Sequence, residues 1–589
     1  MKQTVIITGA ARWALSFLLI LGAEAQAGGD DRRLEQQMAD YWAEYVEAYP
    51  LIAAGFGAQG PRDVLDDFGP EARAAQVKRL DDYIEALAKV RVNKLSPENR
   101  EHFEAYNWML RNERANLDHN SRFFAFNTLT GWHSGLVGLF LAQPYFNEED
   151  YRDLLSRMSQ VGRFADQNIA LLEEGIAAGY TQPCDSLQGY DATISAYVAD
   201  DPLKSAFIIP FARLPESIPA EVQAELRTEA ATLIHKQINP AYKRYAAWFA
   251  DTYMSACRKE AGLSSLPGGR AAYDQLLRYY TSLDTDADTV HALGLSEVER
   301  IQAEMRQIIE EVAFDGDFAA FLEFLRSDEQ FYKTNEQDYL NHVAWVAKSI
   351  DGKLPGYFSR LPSNPYGIKP IPAQTAPRTA TAYYQPGASD GTRAGQYFVN
   401  TYDLSSRPLY EVVGLTLHEG VPGHHLQISF QQENQSLPQW RREYYFHAYG
   451  EGWGLYSEWL GQEMGVYTTP YERFGRLIYE VWRAVRLVVD TGMHAKGWAR
   501  QEAIDYMMAN TGLTKQNVVS EVDRYMTYPG QATSYKLGEL KIKELRRRAE
   551  QALGDKFDLR EFHVVVLEGG SLPLSALDAK IDRWIENQQ

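Results

Sequence analysis

The chain has 589 residues, of which 59 are basic and 79 acidic, giving a formal net charge of −20. That acidity argues against nucleic-acid or anionic-membrane binding as its main task. A negative mean hydropathy excludes a multi-span membrane protein, and the length allows two core-sized units or one large helical body.

The first 27 residues read as an export signal. Lys2 and Arg12 are positive, Ala14–Leu21 is a short apolar core, and Ala23-Glu24-Ala25 or Ala25-Gln26-Ala27 offers small residues for cleavage. The apolar run is shorter than the roughly 20 residues that span a bilayer; the alternative is an uncleaved anchor. No cysteine follows the run, so attachment through a lipobox is not supported. The expected location is periplasmic or secreted, with no membrane contact after cleavage. Cys184 and Cys257, the only cysteines, form either one disulfide or two buried thiols.

From residue 33 onward, apolar residues recur at three- and four-residue spacing. The pattern predicts helices over Arg33–Tyr49, Pro70–Val90, Pro97–Asn116, Glu148–Ala178, Ala220–Tyr253, Ser296–Ala313 and Phe318–Leu325. Residues 28–360 therefore read as an N-terminal helical region. Residues 361–589 read as a C-terminal helical region carrying the chemistry, the two forming one intertwined body. Near 364–400 the pattern changes. Pro365, Pro370, Pro372 and Pro377 break helix. Thr379–Tyr384 and Gln396–Asn400 then read as short strands around a Gly387–Gly391 turn. The expected fold is mainly α, with this small β element just before a helix over Tyr410–His418.

That helix ends in His418-Glu419-Gly420-Val421-Pro422-Gly423-His424-His425. A His-Glu pair followed by another His suggests a zinc hydrolase helix, with imidazoles on the metal and the carboxylate activating a water. The position four after His418 is Pro422, which binds no metal. In a continuous helix, a residue seven further on is about 10 Å along the axis, and one six further on points elsewhere. Pro422-Gly423 is expected to distort the helix with a bulge that swallows two residues and brings His424 under His418. His418 and His424 are the preferred ligands, His425 is the runner-up, and Glu419 is the general base.

Zinc needs a third protein ligand. Glu451, 27 positions after His424 and on a following helix, is the candidate; alone it would read as a helix-terminal carboxylate. Glu458, two turns on, could orient a histidine ring. Asp490 and His494 share a helical face and could support the metal, or could be a surface pair. Tyr528 or Tyr535 could donate to an oxyanion. Lys536, Arg524 or Arg393 could hold a substrate carboxylate. The strand ending at Tyr384, or the one at Asn400, could pair with an extended peptide.

These motifs resemble the bacterial family known as domain of unknown function 885, which looks like a divergent zincin-type metallopeptidase. The matching segments include Tyr383-Tyr384-Gln385-Pro386 with Asp390, Gly391 and Arg393, then 418–427, 451–458, 486–498, 528–538 and 557–563. Leu266–Gly269 and His291–Leu295 fit too. One departure is Val564, where an Asp is expected after His563. The resemblance implies a helical body with a deep channel, and peptide-bond hydrolysis. It also implies kinship with helical peptidases that trim peptide ends, whose motif reads H-E-x-G-H.

The expectation is an exported zinc peptidase with Zn2+ as cofactor, a peptide as partner and no nucleic acid. The alternatives are a zinc hydrolase of another amide or ester, and a non-catalytic zinc-containing binding protein.

Overall fold

Residues 28–589 are described in a computed structural model, except 56–57, 59, 374–375, 377–379 and 388–392. The export segment at 1–27 lies outside the described residues. The three- and four-residue apolar spacing becomes helix over most of the rest, so the fold is mainly α. Elements used below are α1 (Gly29–Ala48), α2 (Pro70–Leu87), α3 (Pro97–Asp118), α4 (Ala287–Glu311), β1 (Tyr366–Pro370), β2 (Ala382–Gln385), β3 (Gly395–Val399), α5 (Leu409–Glu419), α6 (His424–Glu433), α7 (His447–Leu460), α8 (Pro470–Lys496), α9 (Lys515–Thr527) and α10 (Ser534–Leu553).

Two long helical expectations divide. Glu148–Ala178 is two helices, Glu148–Ser159 and Val161–Ala177. Ala220–Tyr253 is interrupted by π-helical turns at Ile234–Ile238 and Phe249–Tyr253. The first precedes Pro240, which lacks the N–H that an unbroken α-helix would use.

The small sheet has strand order β1-β3-β2, with β1 parallel and β2 antiparallel to β3. Central β3 alternates, burying Gly395, Tyr397 and Val399. The proline-rich stretch was expected only to break helix, yet it holds β1. Pro370 is tolerated because it ends an edge strand. Thr379 and the tip of the expected turn fall outside the described residues.

One apolar cluster joins Leu34 and Met38 of α1 and Tyr106 and Met109 of α3 to Trp453 of α7 and Ile542 of α10. Residues from both sides of position 360 thus share a core. A second cluster draws on residues 51–253. There Cys184 and Cys257 are disulfide-bonded, with Cα atoms 5.1 Å apart.

Helix α8 sets the frame of the site. The Thr469 hydroxyl accepts the Glu472 N–H at 3.1 Å, and the Glu472 carboxylate accepts the Thr469 N–H at 3.0 Å. Pro470 fits the first turn, and Gly497, at φ +74°, ends the helix. Between these caps the helix is buried on nearly every side. Even so, Arg476, Glu480, Arg483, Arg486, Asp490 and His494 recur along one face. Buried charge needs partners, and those partners separate an internal ion cluster from the cleft below.

Candidate metal centre

Helix α5 stops at Glu419, one residue after His418, and α6 begins at His424. The intervening turn contains a cis Val421–Pro422 bond. The expected bulge is therefore a complete break between two helices. A Cβ on Gly423 would lie 1.9 Å from the His418 carbonyl oxygen, so only glycine lets the chain reverse this tightly. The Trp453 indole N–H of α7 donates to the Pro422 carbonyl at 2.7 Å and holds the turn down.

The break re-aims His424. The His418 and His424 rings stand perpendicular, with centroids 4.8 Å apart. Their Nε2 atoms lie 3.7 and 3.5 Å from the same Glu451 Oε2. One ligand atom from each of the three residues fits within 4.8 Å of the others. Bonds of 2.0–2.1 Å in a tetrahedral zinc site put neighbouring ligand atoms about 3.3–3.4 Å apart. Spacing and donor chemistry both fit such an ion. Among the described residues, no lysine or arginine pairs with Glu451.

Helix α7 holds the His418 ring from two sides. Glu451 and Glu458 are two turns apart on one face, and the ring sits between them. Its Nδ1 is 2.8 Å from Glu458 Oε1. With the Nδ1 proton directed at that carboxylate, Nε2 keeps its lone pair for a metal. Gly454 lies beneath the ring; a Cβ there would approach Cε1 to 2.7 Å. Burial works against a charged imidazole, but Glu451 and Glu458 outweigh it and push His418 up to about 9. Burial also opposes ionisation of Glu451, yet the two histidines hold it well below the usual carboxylate range.

The three residues open onto a cavity of about 370 Å3. Glu419 lines it beside them, as do Ala382, Tyr383 and Tyr384 of β2. The Tyr445 hydroxyl, not anticipated from sequence, donates to Glu451 Oε1 at 3.3 Å. Burial and the Glu451 charge keep that phenol protonated, well above its ordinary range. Tyr535 stacks on His418 with centroids 6.4 Å apart. Arg524 lines the cleft together with Arg483 and Arg486, which had no assigned role.

His425, the runner-up ligand, faces away from the cluster. Its Nδ1 is 2.9 Å from the Tyr384 hydroxyl and its ring lies 4.5 Å from that of Tyr366. Burial pushes His425 down to about 4, so the ring is neutral. Tyr384 thus reaches the cleft with its phenol anchored on His425; burial raises it to about 12.

Other expected residues lie elsewhere. Lys536 neighbours Tyr535 on α10, but one residue turns a helix by about 100°. Its ammonium is fully buried, 2.8 Å from Glu480 and 2.6 Å from Glu539. It is an internal counter-ion and reaches no substrate. His494 is fully buried; its Nδ1 accepts the Leu263 N–H at 3.2 Å and its Nε2 is 2.9 Å from the Tyr525 carbonyl oxygen. Both ring nitrogens are used in packing, which leaves no catalytic role. Asp490 accepts from the Tyr273 hydroxyl and the Gly530 N–H, away from the metal cluster. Tyr528 packs edge-on against Tyr280, within electrostatic reach of Glu451 and Tyr535. Arg393 is exposed, and its charge acts on Tyr384 of the cleft lining.

A family model described as "Bacterial protein of unknown function (DUF885)" matches residues 50–581. No curated protein matches the sequence significantly. A crystal structure from Colwellia psychrerythraea, described as that of a candidate lipoprotein, is similar at 27% identity and a TM-score of 0.88, covering 95% of this chain and 100% of that one. A candidate lipoprotein of unknown function from Shewanella oneidensis is similar at 17% identity and a TM-score of 0.70, covering 93% and 99%; it shows the shared fold alone. A carboxypeptidase from Pyrococcus furiosus aligns over 95% and 99% at 11% identity, but its TM-score of 0.34 carries no argument.

Proposed function

The chain belongs to the bacterial DUF885 family, and from that premise we propose that it is an exported zinc-dependent peptidase. The convergence of His418 Nε2, His424 Nε2 and Glu451 Oε2, with Glu419 on the adjoining cleft wall, carries this reading. When bound, zinc supplies Lewis acidity toward water and the scissile carbonyl. His418, His424 and Glu451 would hold it, and Glu458 fixes the His418 tautomer. The Glu419 carboxylate takes a proton from the attacking water and passes it to the leaving amine nitrogen. Tyr535, stacked beside His418 in the cleft lining, is the phenol we assign to the oxygen on which negative charge develops.

Strand β2 supports a peptide in preference to another amide or ester. It is an edge strand and borders the cleft, so its free backbone groups can pair with an extended chain. Central β3, which ends next to Asn400, has neighbours on both sides and cannot. A binding protein with a purely structural metal would not need Glu419 in the cleft. The disulfide supports an oxidising, exported location, and no helix among the described residues is long and apolar enough to cross a membrane.

The test is metal analysis with peptide-library cleavage. Glu419→Gln is expected to keep zinc and to lose about 10²–10⁴-fold in turnover. Turnover like that of the wild type would overturn the mechanism.

A further inference from the structure

We propose that Arg483, Arg486 and Arg524 form a subsite for the α-carboxylate of a peptide's C-terminal residue, so that the cleft works from that end of its substrate. This rests on the peptidase reading and gives it a substrate end.

The cleft lining carries these three guanidiniums, and of its three carboxylates, Glu419, Glu451 and Glu521, it is Glu521 that pairs with them. Glu521 Oε2 accepts from Arg486 Nη2 at 3.1 Å and from Arg524 Nη1 at 3.2 Å. Arg483 lies 3.8 Å from Glu458, which is already engaged by His418. Within ion-pair distance the three guanidiniums thus share two carboxylates, with Glu411 and Asp490 acting on them from farther off. The donors are incompletely used as well. Arg486 Nη1, Arg483 Nε and Arg524 Nε lack hydrogen-bond partners, although the residues are 3%, 6% and 9% exposed. Buried charged donors without acceptors are costly, and a carboxylate answers them, often bidentately.

The guanidiniums are also held in place in advance. Arg486 stacks between Trp482 at 4.4 Å and Tyr535 at 4.6 Å, and Arg483 packs on Trp482 at 4.7 Å. Planar cations fixed in this way lose little freedom on binding an anion. Their place in the cleft selects the anion. The Tyr535 ring touches Arg486 on one side and His418 on the other. A carboxylate on the arginine wall therefore lies close to the scissile position, in a cavity at the small end of the ligand-site range. An α-carboxylate meets that requirement whatever the peptide sequence. Recognition of an N-terminal amine would need a free carboxylate beside the arginines, and Glu521 is already shared by Arg486 and Arg524.

The test uses zinc-loaded Glu419→Gln protein, which should bind without turnover. A five-residue peptide is titrated by calorimetry as the free acid and as the C-terminal amide. The acid is expected to bind about 10- to 100-fold more tightly, and the preference is expected to fall away in Arg486→Gln and Arg524→Gln on the same background. If those variants fail to fold, because Glu521 loses partners, the acid–amide comparison in Glu419→Gln alone decides. Equal affinity for the two peptides, or binding of neither, overturns the subsite. Hydrolysis by the wild-type protein is read separately. Preserved acid preference without any cleavage supports the subsite and sinks only the peptidase reading.

Discussion

Two charge clusters, one joining α4, α8 and α10 and the other joining α5, α6 and α7, are built on opposite plans. Around Lys536 the chain supplies both signs. Lys536 meets Glu297, Glu480 and Glu539 at 2.6–3.0 Å, while Arg300, Arg476 and Lys543 complete the pairing at 2.5 Å. Around Glu451 the chain supplies two carboxylates, two imidazoles and a phenol, but no lysine or arginine on Glu451 among the described residues. With Glu304, which pairs with Arg300 and Arg476, the first cluster has four cations and four carboxylates, is electrically closed and holds helices together. The second has the donor set of a candidate metal site. Burial alone does not separate structure from function here; the origin of the counter-charge does.

Breaking the closed cluster should have the largest effect on folding. Lys536→Met leaves buried carboxylates uncompensated and is expected to cost about 3–5 kcal/mol in urea unfolding. A near-neutral result would erase the distinction drawn above. At the open cluster, zinc at 100 times its Kd is expected to stabilise the wild type by about 2.7 kcal/mol. His424→Ala should abolish that gain in thermal melts, and His425→Ala should keep it. If only His425→Ala released the metal, the ligand assignment would be wrong.

Glu458→Gln leaves all three ligands but loosens the hold on the His418 tautomer. A loss of about 10- to 100-fold in zinc affinity is expected by competition with a chelator.

The smallest effect concerns Asp490. Burial pushes it up to about 7, against the pull of Tyr273, the Gly530 N–H, Arg524 and Arg486. A carboxyl with a raised folded-state pKa favours folding only while protonated, so its contribution falls as pH rises from about 4 to 7. Relative to Asp490→Asn, the wild type should lose on the order of 1 °C in Tm across that window. A gap that does not change with pH would show that Asp490 does not titrate there.

The ligand set was legible because it is local. His418 through Glu451 spans two adjacent motifs, and Pro422-Gly423 announces that the chain cannot stay helical between the histidines. What the motif could not show is that the helix ends outright, or that Gly454 makes the hollow for the His418 ring. Neighbours on a helix misled at Tyr535-Lys536, where one step in sequence separates the cleft from the ion cluster. Asp490 and His494 do share a face, as their spacing requires, but that face meets Tyr273 and Leu263. Arg483 and Arg486 were given no role, since nothing in a single sequence tells which wall a helix presents to a cavity. The mainly α fold followed from apolar periodicity; β1 was missed because five residues ending in proline carry almost no strand signal.

The break at 420–423 gives the centre a mechanical character of its own. On an unbroken zinc helix both imidazoles ride one rigid rod, and their separation is insulated from whatever surrounds the rod. Here His418 and His424 belong to two rods that share α7 but otherwise pack on different neighbours. Leu426 and Phe430 seat the second rod in the large core. Any slip of that rod is written directly into the distance between the imidazoles, so a substitution deep in the core, with no contact to the cleft, would retune how tightly a metal is gripped at the proposed site.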